Sequence, residues 1–127
     1  MEDPLMPKFS EQPQSEVRQR LLDGMIRYMK LAGNDCGYKK ADVAQCMKII
    51  DGYLAALGEG KSSKLSEPKI REAVKKAVLD LNRLNEKCGG SLIETDQREY
   101  LCQLLLVAAR RAGLKTRDDI TEAWREW

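Results

Sequence analysis

Within SLIETDQREYLC, residues 91–102, the carboxylates Glu94, Asp96 and Glu99 fall inside six positions. Two carboxylates held across a cleft can bind a hard cation, or cleave a glycosidic bond with one acting as acid and the other as base or nucleophile. Cys36, Cys46, Cys88 and Cys102 add thiols suited to metal binding, nucleophilic attack or disulfide formation. The chain has no histidine. That removes the usual general base at neutral pH, the Ser-His and Cys-His nucleophile pairs, and the commonest zinc ligand.

Spacing argues against most of these chemistries. No two cysteines are separated as C-x-x-C, so a zinc site is not expected. The glycines of GEGKSS stand too close together for a phosphate-binding loop, and no strand-like run precedes them. At roughly 100° per residue, Ile93, Gln97, Tyr100, Leu101, Leu104 and Ala108 share one helical face, while Glu94 and Glu99 fall on its opposite flanks. Ser91 followed by Glu94 has the spacing of a capping box, and acids in a first helical turn face the positive end of the backbone dipole. The acidic stretch therefore reads as a helix start. No catalytic, cofactor-binding or metal-ligating residue is assigned, and no cofactor is expected.

The elements carrying these residues are helices. Pro4 and Pro7 predict an irregular arm over residues 1–12, followed by a single domain over residues 13–127. Val17, Leu21, Met25, Tyr28 and Ala32 recur at helical spacing until Gly33 and Asn34. After a loop at NDCGYKK, Val43, Met47, Ile50, Leu54 and Leu57 line one face of a second helix, which Gly58 and Gly60 end. The polar stretch GEGKSSK links to a third helix with Ser66 as cap, Leu65 and Ile70 as a hydrophobic staple, and Val74, Ala77, Leu81 and Leu84 on its inner face.

The fourth helix is apolar nearly all round between Tyr100 and Ala109. Thr116 and Asp119 open a short last helix carrying Ile120, Ala123, Trp124 and Trp127. Short linkers predict an all-α, four-helix up-down-up-down bundle with a short C-terminal helix.

The bundle bears on the thiols. In that topology Cys36 and Cys88 lie at one pole, with Cys46 and Cys102 further in, so an oxidising compartment such as the periplasm would pair Cys36 with Cys88 and Cys46 with Cys102. Four reduced thiols, two of them filling the core, is the preferred alternative and fits a cytoplasmic protein.

Twenty-two basic against twenty acidic residues leave a net charge of +2, and the basic residues come as scattered dipeptides such as Lys39-Lys40 and Arg110-Arg111. Neighbours on a helix point about 100° apart, so no basic stripe forms and nucleic acid is not an expected partner. No apolar run is long enough for a membrane span, and MEDPLMPKFSEQPQ lacks a basic region followed by an apolar one.

LNRLNEKCGGSLIETDQREYLC together with the terminal DITEAWREW resembles a family of small, helical, functionally uncharacterised bacterial proteins. The resemblance is best in the C-terminal half and implies no activity and no site residues. The expected function is a non-catalytic module that binds another protein, in an immunity- or adaptor-like role, or a second copy of itself. The alternative is a ligand-binding or enzymatic bundle with its site between helices. Tyr38 and Trp127 are the aromatic residues expected at the surface, and Leu105 and Leu106 the part of the fourth helix expected to need a partner.

Overall fold

A computed structural model describes residues 14–58 and 65–127. Among these residues the chain is all-helical, with α1 (Gln14–Ala32), α2 (Lys40–Ala56), α3 (Glu67–Lys87) and α4 (Thr95–Ala112). A 3-10 turn at Gly33–Asp35 follows α1 and another at Ile120–Ala123 lies near the C-terminus. The expected irregular arm and most of the GEGKSSK linker lie outside the described residues.

Side-chain ties between opposite helix ends set the helix directions. Arg18, near the start of α1, forks onto Asp51, late in α2, through two bonds of 2.8 Å. Lys87, ending α3, reaches Asp42, in the first turn of α2, at 3.4 Å. Glu67, opening α3, accepts the N–H of Lys115, just beyond α4, at 3.2 Å. Each tie joins the beginning of one helix to the end of its neighbour, so successive helices run antiparallel. The closest packing is α1 on α4 and α2 on α3, with α1 against α2 and α3 against α4 closing the ring. This is the expected up-down-up-down order.

The periodic positions fill the centre. Val17, Leu21 and Met25 meet Cys46, Ile50, Ile70, Val74, Leu81, Leu101 and Leu104 in one continuous core. Burying each larger aliphatic side chain contributes about 1.5–3 kcal/mol. The all-round apolar character of α4 has its explanation in the residues that follow it: the chain after Gly113 turns back, and the Ile120–Ala123 turn packs on both α3 and α4. Leu105 is fully buried, and Tyr53 of α2 donates its hydroxyl to the Leu105 carbonyl at 2.6 Å.

Two local expectations are corrected. Helix α4 begins at Thr95, with Glu94 rather than Ser91 as its cap. Glu94 and Gln97 form the capping box, Glu94 N–H donating to Gln97 Oε1 at 3.3 Å. Ser91 instead turns its hydroxyl onto the Cys88 carbonyl at 2.6 Å. The later start follows from the buried pair Leu92 and Ile93, which enter the core from a loop whose Ile93 N–H is held by the buried Asn85 side chain at 2.9 Å. Gly89 and Gly90, both at positive φ, end α3 and begin that loop.

The expected short C-terminal helix is a single 3-10 turn, capped by Asp119 accepting Thr121 N–H at 3.0 Å. Thr116 is therefore not a helix start. The tail is held by Asn82 of α3, which donates to the Trp124 carbonyl at 2.7 Å and accepts from Glu126 N–H at 3.1 Å. A side-chain amide here does the work of a peptide group and satisfies backbone that no helix pairs.

Candidate protein-binding groove

The C-terminal half of α1 and the first turns of α4 enclose an open groove of about 650 Å³. Arg20, Asp23, Arg27, Tyr28 and Leu31 line it from α1, and Glu94, Asp96, Gln97 and Tyr100 from α4. Helix α1 supplies these from the flank of its C-terminal half that faces the first turns of α4, while Met25 and Met29 on its inner side pack on the core. The helices come close at the floor, where a Cβ added to Gly24 would lie 3.5 Å from Gln97 Nε2.

The exposed large hydrophobic side chains among the described residues all belong to this stretch of α1: Ile26 at 37%, Tyr28 at 39% and Leu31 at 80% exposure. Tyr28 and Leu31 face the groove, while Ile26 stands on the opposite flank of the helix. Tyr28 is held in place from below. Its ring stacks on that of Tyr38 at 5.9 Å with 20° between planes, and Tyr38 donates its hydroxyl to the Met25 carbonyl at 3.0 Å. Burial pushes the Tyr38 hydroxyl far above the usual tyrosine pKa, so it stays a donor at any physiological pH.

The two rims carry different charge. Arg20 and Arg27 stand on α1, Glu94 and Asp96 on α4. Arg20 is paired with Glu16 at 2.8 Å and Asp23 keeps its charge while accepting from Gln19 at 2.8 Å, so the α1 rim is of mixed charge with Arg27 as its cation, whereas the α4 rim is acidic. Glu94 and Asp96 thus stand at a helix start, as expected, and also form one wall of a groove, which Glu99 does not line. A smaller groove of about 290 Å³ between α2 and α3 is floored by Ile49, Gly52, Ala56, Ala73 and Ala77. Its acid, Asp80, is taken up by Lys76 at 3.0 Å and by Arg83.

The residues expected at a partner surface lie elsewhere. Tyr38 is buried at 4% exposure with its ring stacked on Tyr28, and Leu105 is fully buried in the core, its carbonyl accepting from Tyr53. Leu106 is half-buried against the core. Trp127 is also half-buried, with the Arg125 guanidinium 5.4 Å from its ring centroid. Tyr28 and Tyr100, placed by their spacing on the inner faces of their helices, line the groove together with Leu31, which the sequence did not single out. The available signal was Leu31, an apolar side chain outside the core stripe of α1.

The thiols divide three and one. Cys46 is fully buried and its thiol is pushed up to about 12, first by burial and then by Cys88. Cys88, at the end of α3, is raised first by burial and then by the charge of the nearby Asp42 carboxylate. Cys36 lies close enough to Cys88 to add to that rise. Cys102 instead faces the C-terminal turn, with Thr121 Oγ1 4.0 Å from its sulfur and Arg125 Nη1 3.6 Å away. Burial raises its pKa and Arg125 opposes the rise. The segments of Cys36 and Cys88 meet, a Cβ added to Gly37 lying 3.2 Å from the Cys88 carbonyl oxygen, whereas Cys46 shares its surroundings with Cys88 and not with Cys102. All four are free thiols, and among the described residues no group of three or more Cys, Asp or Glu is arranged to hold a metal ion. No helix among the described residues is long and apolar enough to cross a membrane.

Comparison with protein-family models, curated proteins and solved structures finds no match for this chain.

Proposed function

We propose that this chain is a non-catalytic protein-binding domain whose contact surface is the α1/α4 groove. The supporting observation is the exposed apolar pair Tyr28 and Leu31 set between Arg27 on α1 and the acidic rim of α4. Apolar side chains concentrated at one place and rimmed by charge mark protein contact surfaces, and an aromatic anchor pre-positioned by a buried partner loses little entropy on binding.

The rim charges favour a second copy of the chain as the occupant. In a two-fold pair the same patch lies on both sides, so each surface must complement itself. A groove with Arg27 on one rim and Glu94 and Asp96 on the other does so when the α1 rim of one copy sets Arg27 against the α4 rim of its mate. An adaptor or immunity role would use the same groove for a different protein.

Sedimentation velocity across a range of micromolar concentrations tests this. The expected result is reversible dimerisation that Leu31→Glu abolishes and that Lys48→Glu, on the α2/α3 face, leaves intact. A chain that remains monomeric throughout, or a dimer indifferent to Leu31→Glu, refutes the self-association.

A further inference from the structure

The loop after α1 touches the turn after α3 with almost nothing between them. A Cβ added to Gly37 would lie 3.2 Å from the Cys88 carbonyl oxygen and 2.8 Å from Ser91 Cβ, so only a glycine lets the two segments meet this closely. Cys36 precedes that glycine and Cys88 supplies the carbonyl. Ser91 locks the turn by donating to the same carbonyl at 2.6 Å. Cys36 is half-exposed and extended in backbone, and its N–H closes the 3-10 turn onto the Gly33 carbonyl at 3.2 Å. Cys88 sits at a helix end followed by two glycines at positive φ, where the backbone adjusts readily.

We infer that Cys36 and Cys88 form a thiol–disulfide exchange site, which a small disulfide of the glutathione type closes into an intramolecular bond. Cys36 is the entry point because it is the thiol of the cluster that solvent reaches. Its thiolate attacks one sulfur of the small disulfide and forms a mixed disulfide, expelling one small thiolate. Cys88 gives up its proton to water. Its sulfur then attacks the Cys36 sulfur and expels the second small thiolate. Two protein thiols are oxidised, one small disulfide is reduced to two thiols, and the protons end on those thiols.

Cys46 competes for Cys88 but is fully buried within a regular turn of α2, where neither the small disulfide nor a backbone shift can reach it. Cys102 stands apart with Thr121 and Arg125. Closure would tie the loop carrying Tyr38 to the end of α3. The inference is independent of whether the groove binds a second copy.

The test equilibrates the full chain with oxidised and reduced glutathione in varied ratio, quenches with acid, alkylates, and maps the products by mass spectrometry without reduction. At oxidising ratios the expected product is two hydrogens lighter than the reduced chain, with Cys36 linked to Cys88, while Cys46 and Cys102 alkylate only after unfolding. Cys88→Ser should halt at a stable glutathione adduct on Cys36, and Cys36→Ser should give neither adduct nor bond at Cys88. Thermal melts confirm that both variants are folded. A Cys46–Cys88 bond, a persistent adduct on Cys36 in the unaltered chain, or four free thiols at every ratio would overturn it.

Discussion

Tyr38 lies buried beneath Tyr28, its ring stacked 5.9 Å away and its hydroxyl bonded to the Met25 carbonyl. One tyrosine thereby joins the loop between α1 and α2 to the exposed aromatic wall of the groove. Tyr38→Phe keeps the stack and loses the hydroxyl bond, so urea unfolding should show a loss of about 0.5–1.5 kcal/mol with self-association unchanged. Tyr38→Ala removes the ring as well; it should cost about 3–5 kcal/mol and weaken self-association, because Tyr28 loses its support.

The start of α4 makes a second prediction. Glu94→Ala should lower stability by about 0.5–2 kcal/mol through loss of the cap, and the Gln97 amide should exchange faster with solvent deuterium. Ser91→Ala should leave Gln97 exchange unaltered, since its hydroxyl serves the Cys88 carbonyl and not the helix. The opposite pattern would return the helix start to Ser91.

Asp42 makes the acid limb of stability measurable. The Lys39 N–H, which it accepts at 2.9 Å, and then Lys87 and Cys88 hold its carboxyl below the ordinary range, against the cost of burial. The folded state therefore binds this proton more weakly than the unfolded chain. Its contribution is present above the unfolded value of about 3.9 and disappears as pH falls through the lower folded value. Asp42→Asn should cost about 1 kcal/mol at neutral pH and make the acid decline in stability shallower, as read by denaturant unfolding at several pH values.

Cys46 has the opposite sign. With its thiol pushed up to about 12 by burial, the folded state holds this proton more tightly than the unfolded chain. Stability is complete below the unfolded value of about 8.5 and falls as pH rises, by at most about 1.4 kcal/mol per pH unit from this group. Cys88 and Cys102, also raised by burial, add smaller slopes of the same sign. Between about pH 8.5 and 10, below the range in which Tyr38 and Tyr53 ionise, Cys46→Ala should flatten the decline measured by denaturant unfolding. An unchanged slope would show that Cys46 is not buried as described.

The helices were readable in the sequence because each buries one stripe, and the spacing of Val43, Met47, Ile50, Leu54 and Leu57 already records which side is buried. Their order followed from linker length. The groove was not readable, because it depends on how closely the end of α1 packs on the start of α4, which no local pattern encodes. Tyr28 falls on the same periodic stripe as Leu21 and Met25, yet only the latter two are covered. Asn82 and Asn85 were invisible for a related reason: each serves a backbone segment distant along the chain or beyond a turn, so the need for a buried amide appears only when α3 is packed. At the α4 start, Ser91 and Glu94 both had valid capping spacings, and burial of Leu92 and Ile93 decided between them.

The proposed pairing of groove rims is tested most directly by reversing one charge on each. In Arg27→Glu an acid would face Asp96 of the mate, and in Asp96→Lys a base would face Arg27, so each variant alone should sediment as a monomer where the unaltered chain dimerises. Mixed in equal amounts, the two should dimerise again, because the altered rims then complement each other and the unaltered rims retain their native pairing. A mixture that remains monomeric, or single variants that dimerise as well as the unaltered chain, would contradict the arrangement of α1 rim against α4 rim.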